Sequence, residues 1–259
     1  MGKYDSIIRS IFAEHYVEGA ASVTFKREEL SEKAQVLGVT TPKNLGDIIY
    51  SYKFRKNLPD EIAGTAPAGC YWRLRNVGRG HYEFVLEKGV EFIEPDAMLA
   101  TVKIPDATPS VVKKYSASDE QALLTIIRYN MIDVFLGATC YSLQNHLRTT
   151  VEGIGQIETD EIYVGIDNRG RQLIVPVQAK GGTDKIGVAQ IEQDIELCKQ
   201  RYPELLCRAI ACRFITNNEI AMFEFSLEDG RVVKNNERRY KMIEAAEISK
   251  EDLEYYDNH

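Results

Sequence analysis

The stretch that decides the fold is Glu158-Thr159-Asp160-Glu161-Ile162-Tyr163-Val164-Gly165-Ile166-Asp167-Asn168-Arg169-Gly170-Arg171-Gln172-Leu173-Ile174-Val175-Pro176-Val177-Gln178-Ala179-Lys180. Ile162 to Ile166 and Leu173 to Val177 have the β-branched and aromatic composition of strands. The five residues from Asp167 to Arg171 carry turn chemistry, because Asn and Gly tolerate positive φ. A β-hairpin with its tip near Arg169 follows. Pairing about that tip sets Asp160 opposite Gln178 and Glu158 opposite Lys180. Residues two apart on a strand share a face, so these four side chains converge on one patch at the open end of the hairpin. A one-residue slip of register would exchange Asp160 for Glu161.

The patch has a definite chemistry. A carboxylate and an amide oxygen are hard ligands suited to Mg²⁺ or Mn²⁺, which keep several waters and need few protein groups. A Lys ammonium beside them can stabilise a phosphate in transition or orient an attacking water. The alternative is an ordinary surface hairpin with a salt-bridged Lys. The apolar run Val175-Pro176-Val177 leading to Lys180 weighs against it, since a Lys closing a buried strand needs a partner or a purpose.

Glu158 to Lys180 resembles the PD-(D/E)xK nuclease superfamily, and within it the Mrr-like restriction nucleases that carry Gln-Ala-Lys. Thr159-Asp160 stands in the Pro-Asp position and Gln178-Ala179-Lys180 in the (D/E)xK position. The resemblance spans roughly residues 118 to 225. It implies an α/β protein with a restriction-endonuclease-like α-β-β-β-α-β core and a mixed sheet, its second helix running from about Val188 to Arg201. It also implies Mg²⁺ (or Mn²⁺) as cofactor. Asp160 and Gln178 would be catalytic metal ligands, and Lys180 would stabilise charge or position water. A further acid is expected from the helix ahead of the hairpin: Glu120, with Asp133 and Glu152 as rivals. Acids in a first helical turn also serve simply to complement the helix dipole. The Gln removes a negative charge and should weaken metal affinity relative to Glu. His146 and Arg148 are candidates to touch a phosphate, and Gln190 and Gln193 to extend the polar site. A structural histidine and ordinary surface glutamines are the competing readings.

The N-terminal third has its own organisation. Ile7, Ile8, Ile11 and Phe12 give the period of a first helix. A second is expected to open at Thr24 as its cap, run to about Leu37 and stop at Gly38. A third is expected after Thr41-Pro42, with Pro in its first turn and Leu45, Ile48, Ile49 and Tyr52 inward. Cys70 to Leu74 and His81 to Leu86 alternate as strands about the turn Asn76-Val77-Gly78-Arg79-Gly80. Three helices and a basic-tipped hairpin describe a winged helix-turn-helix, whose third helix would enter the major groove of double-stranded DNA. The candidate DNA contacts are Lys43, Asn44, Ser51, Lys53, Arg55 and Lys56 on or near that helix, and Arg75, Arg79 and His81 on the wing. A helical cap with solvated basic residues is the plainer alternative.

Residues 1–90 are thus expected to read DNA, 91–117 to connect, and 118–259 to form the nuclease-like domain. Prolines at 95, 105 and 109 predict an extended link without regular helix, and Ser118 is expected to cap a long amphipathic helix from Gln121 to Leu136. The chain has 259 residues, 44% of them hydrophobic, and a net charge of −7. That charge opposes nucleic-acid binding in aggregate. However, Thr40 to His81 holds seven bases against three acids, and a local basic patch can steer DNA. Five cysteines without a CxxC spacing read as reduced thiols of a cytoplasmic protein. No signal-peptide pattern or apolar run of membrane-spanning length is present, and no phosphate loop, dinucleotide fingerprint, zinc-protease His pair or nucleophile elbow. Together these predict a Mg²⁺-dependent, sequence-specific endonuclease of the type II restriction class, acting as a homodimer because two strands need two sites. The competitors are a structure-selective repair or junction nuclease and a non-catalytic winged-helix regulator.

Overall fold

The computed structural model describes residues 4–54, 56–116, 119–181 and 184–258. The chain divides into two compact units, residues 1–92 with 152–155, and residues 93–151 with 156–259.

The first unit runs α1 (Asp5–His15), β1 (Ser22–Lys26), α2 (Arg27–Val36), α3 (Gly46–Phe54), the single turn α4 (Asp60–Ala63), β2 (Cys70–Gly78) and β3 (His81–Lys88). Its three strands lie in the order β1-β3-β2, antiparallel throughout. The apolar stripe of α1 buries Ile7, Ile8, Ile11 and Phe12 against Ile48, Ile49, Tyr52, Trp72 and Phe84. Each such side chain contributes ~1.5–3 kcal/mol by leaving water.

Two expectations are corrected here. Thr24 does not cap a helix: residues 22–26 form a strand with Val23 and Phe25 buried in alternation. The turn into α2 occurs at Lys26, whose backbone N–H donates to Glu29 Oε1 at 2.7 Å. Pro42 is not in the first turn of α3. That helix starts at Gly46, after Asn44 Oδ1 has accepted the Gly46 N–H at 3.1 Å. An Asn cap satisfies an orphan donor that a Pro cannot serve.

The second unit is built on one mixed sheet. In chain order it contains β4 (Thr101–Pro105), α5 (Ser110–Tyr115), α6 (Asp119–Ile126), α7 (Ile132–Leu136), β5 (Ala138–Val151), β6 (Gly155–Asp167), β7 (Gln172–Lys180), α8 (Val188–Arg201), β8 (Ala209–Thr216), β9 (Glu219–Glu228), β10 (Arg231–Ile243) and α9 (Lys250–Asn258). The strand order is β4-β10-β9-β8-β7-β6-β5, and Leu206–Cys207 also pairs with β7. β6 and β7 are antiparallel, whereas β8 runs parallel to β7 after the α8 crossover.

β7 is buried on both faces, which is why it reads as a nearly unbroken apolar run. Leu173, Val175, Val177 and Ala179 pack with Leu123, Leu124, Ile127 and Phe135 from the α6–α7 side. Ile191 and Ile195 of α8 pack with Ala209, Ala211, Phe223 and Phe225 on the opposite side of the sheet.

The expected long helix from Gln121 to Leu136 is interrupted. Tyr129 (ψ 79°) and Asn130 (φ 74°) leave helical geometry between α6 and α7. Asn is among the few residues that accept the left-handed region. The expected extended link from 91 to 117 holds a strand of the large sheet, β4, and a short helix, α5. Pro105 is tolerated in β4 because that strand is an edge, and α5 starts directly after Pro109. Ser118 lies outside the described residues. All five cysteines are free, with Cys198 and Cys212 buried. Among the described residues, no helix is long and apolar enough to cross a membrane.

Candidate functional site

The register of the β6–β7 hairpin sets the site. Glu161 pairs with Val177, Tyr163 with Val175 and Ile166 with Gln172. One further step of the same register puts Asp160 across from Gln178. The turn is held by Asp167, whose Oδ1 accepts the N–H groups of Arg169 and Arg171 at 2.9 Å each, with Gly170 at φ 76°. The one-residue slip is therefore not adopted. Glu161, 1% exposed, takes the α6–α7 side, where it pairs with Arg128 and accepts from the Tyr163 hydroxyl.

Beyond Glu161 the two strands are bridged by side chains. Ala179 N–H donates to Asp160 Oδ2 at 2.8 Å, and Gln178 Nε2 donates to the Glu158 carbonyl at 3.1 Å. Lys180 Nζ donates to Gln178 Oε1 at 3.2 Å. Asp160, Gln178 and Lys180 therefore meet at the open end of the hairpin. Glu158 contributes its backbone only, because its carboxylate pairs with Arg148 at 3.0 Å.

Asp160 is 7% exposed, and its Oδ1 accepts no hydrogen bond among the described residues. Burial pushes its pKa up from 3.8 to about 6, against the opposing pull of Lys180 and the Ala179 N–H. Glu120 pushes in the same direction as burial, and His146 opposes it. Both groups are thus electrostatic neighbours of Asp160, Glu120 from the first turn of α6 and His146 from β5. His146 sits in the left-handed region at φ 47°. Of the rival acids, Asp133 accepts the Cys140 N–H at 3.0 Å, and Glu152 lies in the segment that groups with the first unit.

Sequence reasoning missed one acid. Asp194 of α8 is 2% exposed, accepts from Thr159 Oγ1 at 2.6 Å and from Gln178 Nε2 at 2.9 Å. Burial, with Asp160 adding to it, raises its pKa from 3.8 to about 7. The signal was present: Asp194 lies in the inward stripe of an amphipathic helix between Ile191 and Cys198, where an acid is out of place. Gln193 is buried, and Gln190 Oε1 is a buried acceptor without a hydrogen bond.

Asp160 Oδ1 and Gln178 Oε1 are oxygen donors of the kind a small hard cation takes, and Glu120 acts on Asp160 through its charge. A cavity of about 450 Å³ is lined by Val111, Val112 and Tyr115 of α5, Gln121 and Leu124 of α6, and His146, and Asp160, Gln178 and Lys180 are not part of its lining.

The nucleic-acid candidates of the first unit divide into two groups. Lys43, Lys56, Arg79 and His81 are exposed, and Arg75 is exposed while paired with Glu83 at 2.9 Å. Asn44 is engaged in its cap, donating to Asp47 and accepting from Arg27. The Ser51 hydroxyl donates to the Asp47 carbonyl at 2.7 Å, and burial next to Arg73 brings Lys53 down to about 8. Arg55 lies outside the described residues. No protein-family model matches the chain, and no curated protein matches it in sequence.

Proposed function

We propose that this chain is a Mg²⁺- or Mn²⁺-dependent endonuclease of the PD-(D/E)xK type that hydrolyses double-stranded DNA at a specific sequence, as type II restriction enzymes do. The observation that carries the reading is Asp160. It is a carboxylate held nearly out of water with an unused oxygen, beside an amide oxygen, an ammonium and a second acid. A group shifted this way by burial in a cluster of polar neighbours is what a reactive site requires. The order helix, three neighbouring strands, helix, parallel strand around that cluster supports the same reading.

Asp160, Gln178 and Glu120 would hold the cation, which would polarise the phosphodiester and lower the pKa of an attacking water. Asp160 and Glu120 supply negative charge, and Gln178 supplies a neutral oxygen. Lys180, tethered to Gln178, brings a cation to the phosphate oxygens where charge accumulates.

The first unit would read DNA. Its order α1-β1-α2-α3-α4-β2-β3 and sheet order β1-β3-β2 support a winged helix with one added helical turn, with α3 for the major groove and the β2–β3 turn for the backbone. Lys43 and Lys56 flank α3, and Arg75, Arg79 and His81 surround the wing. Cutting both strands asks for two sites, hence a homodimer.

Phage and plasmid DNA incubated with the protein and Mg²⁺ or Mn²⁺ should yield discrete fragments, and Lys180→Ala should abolish them, a loss of ~10²–10³ or more for one charge-stabilising group. Cleavage of branched substrates alone would redirect the reading to a junction nuclease. Tight DNA binding without any cation-dependent cutting would redirect it to a regulator.

A further inference from the structure

We propose that Asp194 is a positioning residue that fixes the side-chain amide of Gln178 with Oε1 turned toward Lys180, and that Asp194 is the reason position 178 holds an amide and not an acid. The catalytic consequence rests on the nuclease reading above; the clamp itself does not.

The orientation follows from donor and acceptor identities. Gln178 Nε2 has two N–H groups and two acceptors, Asp194 Oδ2 at 2.9 Å and the Glu158 carbonyl at 3.1 Å. A backbone carbonyl can never donate. On the other side Oε1 receives the Lys180 ammonium at 3.2 Å, and an ammonium can never accept. Reversing the amide would set oxygen against two oxygens and NH₂ against NH₃⁺, so three contacts select one orientation. Asp194 is itself held, because its other oxygen accepts from Thr159 Oγ1 at 2.6 Å and Thr159 is fully buried. Thr159 precedes Asp160 in the chain, so one carboxylate ties the backbone beside the acid to the amide that faces it.

The same geometry disfavours Glu at position 178. An ionised carboxylate there would meet the Glu158 carbonyl, which has no proton to give, and would face Asp194 Oδ2 across at most one shared proton. Charge at this position is carried one layer back, on Asp194. Its hydrogen bond to Nε2 polarises the amide and makes Oε1 a stronger ligand toward a cation.

The test is a double-mutant cycle of wild type, Asp194→Asn, Gln178→Glu and the double variant, read by thermal melting in a chelator, by calorimetry with Mn²⁺ alone and by plasmid cleavage. Asp194→Asn should fold and bind Mn²⁺ at least tenfold more weakly. Gln178→Glu should melt well below wild type or fail to fold. The double variant should regain both stability and Mn²⁺ binding, since the amide introduced on α8 then donates to the carboxylate introduced on β7. Additive melting changes, or wild-type Mn²⁺ affinity in Asp194→Asn, would overturn the proposal. A non-additive melting cycle in a protein whose wild type neither binds Mn²⁺ nor cuts DNA would sink the nuclease reading and leave the clamp standing.

Discussion

Replacing Asp160 by Asn should stabilise the metal-free protein at pH 8 and not at pH 4. Burial is the main cause that lifts Asp160 from 3.8 to about 6. In the unfolded chain the same carboxyl releases its proton near its ordinary value of ~3.9. Between those two pH values the folded state binds more protons, so stability falls as pH rises through the window and stays low above it. At ~1.4 kcal/mol per pH unit, the rise corresponds to ~3 kcal/mol, fully expressed by pH 8 and absent below pH ~4. Asn carries no charge and keeps an oxygen for the Ala179 N–H, so it removes the penalty without breaking that contact. Asp194 moves the same way, because Asp160 is among the causes that raise it. For a chain of this size ~1 kcal/mol moves Tm by ~2–4 °C, so Asp160→Asn should melt roughly 6–12 °C above wild type at pH 8 in a chelator. The two should converge at pH 4. Saturating Mn²⁺ should then raise wild type by ~2.7 kcal/mol at a hundred times Kd and leave the variant unmoved. A variant less stable than wild type at pH 8, or a difference that does not change with pH, would refute the buried-charge account of this site.

Two further outcomes are expected. Gly165→Val should destabilise by ~1–3 kcal/mol in denaturant titrations, because even a Cβ at this position lies 2.7 Å from Cys140 Sγ and from the Thr139 carbonyl; an unchanged midpoint would mean that β5 yields freely. Arg79→Ala should flatten the slope of log K against log salt for DNA binding by ~1, with no change in sequence preference, since an exposed wing residue meets phosphate; an unaltered slope removes the wing from the interface.

The hairpin was legible because two independent signals agreed, strand composition on both sides and an Asp-Asn-Arg-Gly turn, while the choice between Asp160 and Glu161 waited on the observed register. The bounds of α8, Val188 to Arg201, match the second helix that the resemblance implied. The break at Asn130 was not, because the apolar spacing continues through Ile126, Ile127, Met131 and Ile132 as if the helix were whole. No Gly or Pro marks it, and an Asn in the left-handed region leaves no periodic trace. β1 was hidden for a different reason. Val23 and Phe25 offer only two inward positions, and the cap-like Thr24 competed with them until β3 supplied a partner. Asp194 escaped because nothing local pairs it with Thr159 or Gln178; only the α8 crossover brings them together.

The two buried acids bear most directly on whether the cluster has a function beyond folding. At position 160 a purely structural contact would do better with an amide, since Asn there could accept from the Ala179 N–H without charge, whereas Asp194 uses both oxygens to accept from Thr159 and Gln178. Burial instead raises both acids, Glu120 adds to the rise at Asp160, and Asp160 adds to the rise at Asp194, so each ionised form destabilises the fold that holds it. On the proposed nuclease reading a cation would reverse that sign, because both acids would be attracted to its charge. Lys180 offsets part of the negative charge, with one of its three donors going to Gln178, and burial still prevails at Asp160. The ionisation cost is therefore greatest at pH 8 and above, and on the same nuclease reading a bound divalent ion would offset it.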